Sequence, residues 1–474
     1  MPMLKLYNTF TRQIEKFKPL TRKRASIYGC GPTVYSRQHI GNLRKNVFDD
    51  LLKRTLEVNG FTTYSVTNIT DVGHLISDAD DGEDKMEKGS QTTGQTAQDI
   101  AQYFTQLWQA DLAKLNIRPD DHYPRATDYI RHQINLIKRL ENKGYTYLTS
   151  DGVYFNSQKL STYGQLSRLN PDQIQEGSRV NMGEKLHGTD FALWKFSQPP
   201  GKRQQEWESP WGIGFPGWHS ECVVMSESIL HTPFDIHTGG KEHIDIHHTN
   251  EIAQVEADKG TAMASYWLHS YHLTYNGQKM AKSQGTSVIL DEIIEQGYTP
   301  LSLRLLFLMG HYRSDIDFSW EALEQAEQSL GRIYTFLNRV YAQPHKRNKP
   351  LEYQAKNLVK QVRQSLNNDL DTPQALATIF SQITKWNSDI DNQEPIPRRH
   401  LIKAFYKIDR SLGLALSPRT NQSDIPPEIW QLVKKRQEAR AEKDFTTADR
   451  IREEIHTHGY QVIDGANGPT VQKQ

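Results

Sequence analysis

The chain has 474 residues, 36% of them hydrophobic, and 57 Lys and Arg against 56 Asp and Glu give a formal net charge of +1. This length favours two to four domains, and a mean hydropathy of -0.70 is typical of a soluble globular protein. No segment reaches the roughly 18 consecutive apolar residues that a membrane helix needs, and the N-terminus lacks an apolar secretion core, so we expect a cytoplasmic protein. The balanced charge neither indicates nor excludes a nucleic-acid partner.

The first elements along the chain form a strand, a helix and a second strand. The run RASIYGCG predicts a buried strand, and GNLRKNVFDDLLKRTLEVNG repeats apolar residues at helical spacing up to Asn59. TTYSVTNIT then predicts a second strand. Right-handed crossover makes the two strands parallel, and ligands of such sheets bind beyond the carboxyl ends of the strands. We therefore expect a site that includes Cys30, His39, Thr70 and Asp71.

The later elements predict a sheet that is interrupted by an insertion and followed by helices. The strand run GVYFN and a segment rich in Trp, Pro and Gly fall in the insertion, and FDIHTGG and WLHSYHLTYNG predict later strands. The expected fold class is α/β, with a Rossmann-like parallel-sheet domain, an α-helical bundle and a small C-terminal α+β module. The expected ranges are 1–120 and 216–290 for the two halves of the sheet domain, 121–215 for the insertion, 291–417 for the helical region and 426–474 for the module.

Two local signals mark boundaries within the C-terminal half. Thr372 is expected to be the N-cap of a helix whose first position is Pro373. Near the C-terminus, Asn467 followed by Gly468 predicts the turn of a small β-hairpin.

The chain has only two cysteines, Cys30 and Cys222, which excludes a disulfide framework, and a reducing compartment would disfavour even one bridge. Four further residues could bind a metal ion together with them, namely His243, His247, His248 and Glu251. His247 and Glu251 are four residues apart and share a helix face, whereas His248 would point about 100° away. Two thiolates, an imidazole and a carboxylate suit tetrahedral zinc, but two separate buried cysteines explain the residues equally well.

The tetrad HIGN, residues 39 to 42, opens the first predicted helix. A helix N-terminus suits a phosphate, His39 and Asn42 could add donors, and Gly41 would let an adenine base approach the backbone. The ordinary alternative is a helix cap with a surface histidine. The tetrad alone favours that alternative.

The pentad KMAKS, residues 279 to 283, lies in a loop between two glycines. Lys279 and Lys282 could stabilise a migrating negative charge such as a departing pyrophosphate. The ordinary alternative is a pair of solvated surface lysines. The pentad alone also favours its alternative.

The order of these motifs changes the interpretation. HIGN after a first strand, KMAKS far downstream and a helical C-terminal part resemble the class I aminoacyl-tRNA synthetases, whose signatures are HIGH and KMSKS. Within that class the chain resembles the cysteinyl-tRNA synthetase family, and the resemblance runs nearly end to end. It is carried by YGCGPTVYSRQHIGN, NITD, DFALWK, PGWHSEC, FDIHTGG, HHTNEIAQ and KMAKSQGT.

The resemblance implies a metal and a substrate pocket. One Zn²⁺ per chain would be bound by Cys30, Cys222, His247 and Glu251. The substrate cysteine would be bound by Thr70, Trp218 and His237. Because the thiolate of cysteine binds zinc far better than a hydroxyl does, such a site separates cysteine from serine and makes an editing domain unnecessary.

The resemblance also implies the reaction and its other partners. ATP with Mg²⁺ would activate L-cysteine as cysteinyl adenylate, which then passes to tRNA(Cys). ATP would be bound by His39, Gly41, Asn42 and Lys282, and the catalytic residues would be His39, Asn42, Lys279 and Lys282. Residues 291–417 would contact the tRNA stem, residues 426–474 would bind the anticodon, and the protein would be a monomer.

The sequence departs from the class pattern at three places. Asn42 replaces the last histidine of HIGH, Ala281 replaces the first serine of KMSKS, and TDVGHL lacks the acidic run of some members, so His74 receives no role. Two alternatives remain: a cysteine ligase of thiol-cofactor biosynthesis that acts on an amino sugar, and an inactive, zinc-stabilised RNA-binding paralogue. Residues 426–474 favour the synthetase over the ligase, and the retained His39 and lysines argue against the inactive paralogue.

Overall fold

A computed structural model describes residues 3–73, 95–168, 183–280, 287–416, 426–441, 444–465 and 468–473. The chain divides into two compact units, Met1–Leu414 and Ala415–Gln474. Among the helices of the described ranges, none combines the length and the apolar character that a bilayer crossing requires.

The larger unit begins with the elements of the predicted sheet domain. In chain order its first elements are β1 (Lys5–Asn8), β2 (Gln13–Lys16), β3 (Arg24–Gly29), α1 (Ile40–Val58), β4 (Thr62–Thr67), α2 (Ala97–Lys114), α3 (Ile130–Asn142), β5 (Thr146–Leu148), β6 (Gly152–Phe155), β7 (Phe191–Phe196) and β8 (Gly214–Pro216).

The second part of the larger unit completes the sheet and adds the helices. Its elements are α4 (Trp218–Leu230), β9 (Phe234–Gly240), α5 (His247–Lys259), β10 (Ala264–Ser270), β11 (Leu273–Tyr275), β12 (Gln278–Lys279), α6 (Leu290–Glu295), α7 (Pro300–Met309), β13 (Ile316–Phe318), α8 (Trp320–Ala342), α9 (Lys349–Leu366), α10 (Thr372–Asp391) and α11 (Arg398–Leu412).

The central sheet has four parallel strands in the order β10-β9-β3-β4. The strand, helix and strand expected at its start are β3, α1 and β4, and the parallel pairing is confirmed. Helix α1 packs on the sheet because Leu43, Val47 and Leu51 repeat on one face and are buried. The carboxyl ends of all four strands therefore lie at one edge, where the residues expected in the site are found.

A separate antiparallel sheet, β5-β6-β7-β8, lies within the stretch of sequence expected to be the insertion. Helices α8 to α11 pack as a bundle whose core contains Phe336, Trp386 and Phe405, with ring centroids 5.5 to 6.3 Å apart. The expected fold class is confirmed, whereas the residue numbers given for the domain boundaries stay predictions.

The expected N-cap of α10 is wrong by one residue. Asp371, not Thr372, is the cap, and its Oδ1 accepts the backbone N–H of Gln374 at 3.0 Å. Thr372 is instead buried as the first helical residue, with its hydroxyl 3.4 Å from the carbonyl of Gly310. Pro373 follows in the first turn, where its missing N–H costs nothing.

The smaller unit contains α12 (Pro427–Ala441), α13 (Phe445–Thr457), β14 (Tyr460–Gly465) and β15 (Gly468–Lys473). The last two strands pair antiparallel, which confirms the predicted hairpin; Asn467 itself lies outside the described residues. A small core of its own holds this unit together, formed by Ile429, Val433, Ile451, Ile455, Tyr460 and Val462.

A buried ion pair joins α1 to the helices that follow the sheet domain. Asp50 and Arg304 are both fully buried, and Arg304 Nη2 donates to Asp50 Oδ2 at 2.6 Å. Arg54 Nε donates to the same oxygen at 2.6 Å, and Arg304 Nε donates to the carbonyl of Leu412 at 2.8 Å. Burial alone would raise the pKa of Asp50, but the two guanidinium groups outweigh it and lower that pKa from 3.8 to about 2.

We expect Asp50→Asn to destabilise the larger unit by about 3 to 5 kcal/mol at pH 7, because it leaves two buried guanidinium groups without their anion. The folded-state pKa of Asp50 is depressed, so its stabilising effect is present above about pH 4 and is lost as pH falls towards 2. The difference between variant and wild type should therefore shrink by about 1 kcal/mol between pH 7 and pH 3. Urea denaturation at pH 7, 4 and 3 measures both effects.

The matched control for this experiment is Asp391→Asn, which removes a carboxylate that is 64% exposed and paired with Arg339. An exposed pair contributes about 0 to 1 kcal/mol, so this variant should unfold near the wild-type midpoint. Equal midpoints for the two variants would contradict the role given to Asp50.

Candidate active site

A cavity of about 750 Å³ opens at the carboxyl edge of the central sheet, beside the start of α1. It brings together eight of the expected site residues, namely Cys30, His39, Gly41, Asn42, Thr70, Trp218, Cys222 and His247. Residues far apart in the sequence thus meet at the edge where the strand order predicted a ligand site.

The four expected metal ligands converge at the base of this cavity. Cys30 follows β3, Cys222 lies in α4, and His247 and Glu251 lie one turn apart on α5. All four are buried, and their sulfur, nitrogen and oxygen atoms lie within 4.8 Å of one another. His247 Nε2 is 2.8 Å from Glu251 Oε1.

A further histidine, His248, contacts this cluster and in turn contacts His269. His248 Nε2 is 3.1 Å from Cys30 Sγ, and His248 Nδ1 is 2.8 Å from His269 Nε2. The expectation that His248 points away from the cluster is wrong: Glu251 is three residues on, so His248 also shares a helix face with it. A second set, Cys30, His237, His248 and Glu251, meets the same 4.8 Å limit.

His237 was expected to contact the substrate, and the structure places it deeper. It is fully buried in β9, its Nε2 is 2.7 Å from Glu251 Oε2, and its ring stacks on Trp267 with centroids 4.6 Å apart. This contact orients the Glu251 carboxylate. A role for His237 at the substrate itself stays a prediction.

The electrostatics of the cluster favour protonated thiols and a charged carboxylate. Burial raises the pKa of Cys30, and the contact with Cys30 together with burial raises the pKa of Cys222 well above its ordinary value. Burial would also raise the pKa of Glu251, but His237 and His247 lower it. Burial lowers the pKa of His247, but the carboxylate of Glu251 outweighs it and raises that pKa to about 10.

This donor set fits a zinc ion. Sulfur, nitrogen and carboxylate oxygen are the ligands of zinc sites, and two thiols exclude magnesium and calcium as preferred ions. Zinc binds the thiolate form of cysteine, so a bound zinc ion would favour deprotonation of Cys30 and Cys222.

Thr70 and Trp218 line the cavity next to the cluster. The Thr70 hydroxyl donates to Glu221 Oε2 at 3.0 Å and accepts from Asn68 Nδ2 at 3.1 Å. A hydroxyl has one hydrogen and two lone pairs, so a second donor can still bind to Thr70 Oγ1. Trp218 is the first residue of α4, and the centroid of its ring lies 4.6 Å from the centroid of the His247 ring.

The HIGN turn caps α1 and also faces the cavity. His39 Nδ1 accepts the N–H of Asn42 at 3.3 Å, and Asn42 Oδ1 accepts the N–H of His39 at 3.3 Å. The helix cap, which was the ordinary alternative to a phosphate site, is therefore present. Because Nδ1 and Oδ1 act as acceptors in this cap, a neutral His39 carries its ring hydrogen on Nε2, and the donor atom of the Asn42 amide is Nδ2. A Cβ on Gly41 would lie 2.9 Å from His39 Nδ1, so glycine keeps this turn open.

Met280 of the KMAKS segment and Val288, which follows that segment in the sequence, lie beside the HIGN turn. The backbone of Lys279 pairs with Thr274, Met280 lines the cavity, and the N–H of Ile40 donates to the carbonyl of Val288 at 2.8 Å. Ala281 and Lys282 lie outside the described residues, as do His74 and the side chain of Lys279. Their expected roles stay predictions.

Two cations of the cavity wall were missed from the sequence. Lys45 Nζ donates to the carbonyl of Cys30 at 2.6 Å and pairs with Asp49 at 2.6 Å. Lys45 follows Asn42 by three residues, so helical spacing could have identified it. Arg37 contacts Asp111 at 2.9 Å and Asp291 at 2.7 Å, and no local pattern joins these three segments.

Comparison with known families divides the chain in two. Residues 16–328 match the catalytic domain of class I tRNA synthetases of the C type, and residues 422–470 match the anticodon binding domain of cysteinyl-tRNA ligase. The catalytic match contains the whole cavity described above.

Curated relatives align over nearly the whole chain. The chain is 44% identical to cysteine–tRNA ligase 1 of Burkholderia lata, over 98% of this chain and 96% of the relative. It is 37% identical to the cysteine–tRNA ligase of Thermococcus gammatolerans, over 98% of each.

A solved structure shares the fold at low sequence identity. Mycobacterium tuberculosis methionyl-tRNA synthetase in complex with methionyl-adenylate matches with a TM-score of 0.60 and 16% identity, over 84% of this chain and 92% of that one. With the family match over residues 16–328 and the two near-full-length relatives, this places the chain in the cysteinyl-tRNA synthetase family of class I aminoacyl-tRNA synthetases.

Proposed function

We propose that this chain is a cysteine–tRNA ligase. It activates L-cysteine with ATP to form cysteinyl adenylate and pyrophosphate, and it then transfers the cysteinyl group to tRNA(Cys), which releases AMP. The observation that carries this conclusion is one cavity that contains both the thiol-rich cluster of Cys30 and Cys222 and the N-terminus of α1. The cluster that would recognise a sulfur compound therefore lies next to the helix N-terminus that would bind a phosphate.

Cys30, Cys222, His247 and Glu251 are the proposed ligands of one Zn²⁺ per chain, and their convergence within 4.8 Å supports this. When bound, zinc supplies a soft Lewis-acid position that a thiolate fills better than a hydroxyl. Thr70 Oγ1 would accept a hydrogen bond from the substrate ammonium group, and Trp218 would close the pocket over the side chain. His237 would hold Glu251 in place, and we retain its predicted contact with the substrate as part of the proposal.

The ATP phosphates would bind at the N-terminus of α1. The backbone N–H groups there carry the positive end of the helix dipole, Gly41 leaves the turn open, and His39 Nε2 and Asn42 Nδ2 would donate to phosphate oxygens. The substrate carboxylate attacks the α-phosphate, so the enzyme needs no nucleophile of its own. Lys279 and Lys282 would stabilise the charge of the departing pyrophosphate, and Mg²⁺ would accompany ATP.

The remaining ranges would bind the tRNA. Residues 291–417 would contact the stem and residues 426–474 would bind the anticodon, after the sheet domain of 1–120 and 216–290 with its insertion at 121–215. We further propose a cytoplasmic monomer. The two buried, unbridged cysteines are consistent with a reducing compartment. A cysteine ligase that acts on an amino sugar is not favoured, because residues 422–470 match an anticodon binding domain.

The purified chain should catalyse cysteine-dependent exchange of pyrophosphate into ATP and should charge tRNA(Cys). His39→Ser keeps a good N-cap residue but has no imidazole Nε2, so it separates the two roles of His39. We expect exchange to fall by about 10² to 10³, as for the loss of one transition-state donor. His39→Ala provides the comparison that loses the cap as well.

Near-normal exchange by His39→Ser would show that His39 is only a cap. Exchange without charging by the wild type would instead identify a ligase with another acceptor, and no exchange at all would identify an inactive paralogue.

Metal analysis should find one equivalent of zinc per chain in the wild type and much less in Cys222→Ser, because a serine hydroxyl is a poor zinc ligand. His248→Gln should retain most of the metal, since in the proposed set His248 only contacts the ligand Cys30. Ser226→Ala is the control on α4, one turn beyond Cys222, where the hydroxyl donates only to a backbone carbonyl.

The reverse pattern, with metal lost from His248→Gln and kept by Cys222→Ser, would favour the second ligand set. An absence of metal from wild-type protein that still activates cysteine would refute the zinc site.

A further inference from the structure

A largely buried lysine lies where the thiol cluster meets the start of α1. Lys45 follows Asn42 by three residues on α1, so the two side chains share a face of the helix. The Lys45 ammonium donates to the carbonyl of Cys30 at 2.6 Å and pairs with Asp49 Oδ2 at 2.6 Å, and Lys45 lines the cavity of the candidate active site. Lys45 therefore lies between the residues that would bind zinc and the turn that would bind phosphate.

The ammonium group of Lys45 has one hydrogen that its protein contacts do not use. An ammonium has three N–H donors, and within the described ranges Lys45 donates to Cys30 and Asp49 alone. The other Lys or Arg among the described residues of the cavity wall is Arg37, whose Nη2 already pairs with two aspartates at 2.9 and 2.7 Å. The Lys45 side chain is 11% exposed, so its third donor is open to an anion in the cavity.

The end of β3 is shaped around this lysine. A Cβ on Gly29 would lie 2.9 Å from Lys45 Nζ and 3.1 Å from Asp49 Oδ2, so a side chain at position 29 would displace the pair. The next residue, Cys30, supplies the carbonyl that accepts from Lys45. Residues of two elements, α1 and β3, are thus matched to hold one ammonium group at the cavity wall.

One peptide group separates Lys45 from Thr70. The carbonyl of Cys30 accepts from Lys45, whereas the N–H of the next residue, Gly31, donates to Asn68 Oδ1 at 2.8 Å. Asn68 in turn donates to Thr70 Oγ1 at 3.1 Å. Because the C=O and the N–H of a trans peptide point in opposite directions, Lys45 and Thr70 lie on opposite sides of this peptide.

This arrangement matches the three polar groups of free cysteine, which are carried by two adjacent carbon atoms. In the proposed function the thiol cluster recognises the sulfur and Thr70 accepts from the ammonium group, but the substrate carboxylate has no partner. A hydrogen bond from an ammonium to a carboxylate is roughly twice as strong as a neutral one. Lys45 supplies such a donor next to Cys30, across the peptide from Thr70.

We propose that Lys45 Nζ binds the carboxylate of the substrate cysteine. This rests on the proposed function, in which cysteine is the amino acid that is activated. The contact would hold the carboxylate beside the N-terminus of α1, where the ATP phosphates would bind. The first step joins a carboxylate oxygen to the α-phosphorus and breaks the bond from that phosphorus to the departing pyrophosphate, so it needs no proton from Lys45.

The test uses a lysine of the same helix as its control. Lys53, about two turns beyond Lys45, also donates to a backbone carbonyl, that of Arg118 at 3.1 Å, and to an aspartate, Asp120, at 2.6 Å, but it does not line the cavity. Lys45→Met and Lys53→Met therefore remove the same kind of contact. A double variant, Lys45→Met with Asp49→Asn, also removes the partner charge and so avoids a buried carboxylate without a cation.

The probes are L-cysteine and cysteamine, which has the thiol and the ammonium group of cysteine but no carboxylate. Their dissociation constants are measured by calorimetry with the full-length protein as purified. Lys45→Met should bind cysteine about 10- to 100-fold more weakly than the wild type, as for the loss of one hydrogen bond to a charged group, and should bind cysteamine equally well. The double variant should show the same pattern, and Lys53→Met should bind both ligands like the wild type.

In pyrophosphate exchange, Lys45→Met should raise the KM for cysteine by a similar factor and leave the KM for ATP unchanged. Equal losses of cysteine and cysteamine affinity would overturn the proposal, because Lys45 would then support Cys30 and not bind the carboxylate. Unchanged cysteine binding with a raised KM for ATP would also overturn it, in favour of a phosphate contact. A wild type that binds cysteine but exchanges no pyrophosphate would overturn the proposed function, while the two dissociation constants would still decide the role of Lys45.

Discussion

The hydrogen bonds that start α1 at His39 and Asn42 are the interaction on which the rest of the larger unit depends. They fix where the helix begins relative to β3, and thereby place its N-terminus at the cavity. The same helix carries Lys45, which holds the carbonyl of Cys30, and Asp50, which pairs with Arg304. A single element therefore links the HIGN turn, the thiol cluster and the helical bundle.

The sequence predicted the local elements and the edge of the sheet because both follow from short-range patterns. Apolar spacing identified α1, and the alternation of strand and helix placed Cys30 and Thr70 at one edge. The four-residue cluster was different. From spacing alone, Cys222 and Cys30 were as well explained as two unrelated buried residues, and only the resemblance to a family joined them with Glu251.

What the sequence did not predict are contacts that depend on packing. Arg37 bridges two aspartates from α2 and α6, and Arg304 reaches Asp50 across more than 250 residues of chain. The prediction for His248 was wrong because Glu251 has two neighbours on its helix face, His247 four residues before it and His248 three residues before it. The N-cap of α10 lies one residue before the predicted position, because Thr372 is buried as the first helical residue and Asp371 occupies the capping position.

The length of α1 has a consequence for how this protein can change. An α-helix has a fixed rise, so the separation of its two ends cannot be adjusted by exchanging side chains. Inserting or deleting one residue would shift one end by about 1.5 Å, and it would also rotate everything beyond that point by about 100°. Asp50 would then turn away from Arg304, and a buried charge would lose its partner. The spacing between the two ends is thus a quantity that evolution cannot alter in small steps, and we expect insertions in this family to fall in loops and not in this helix.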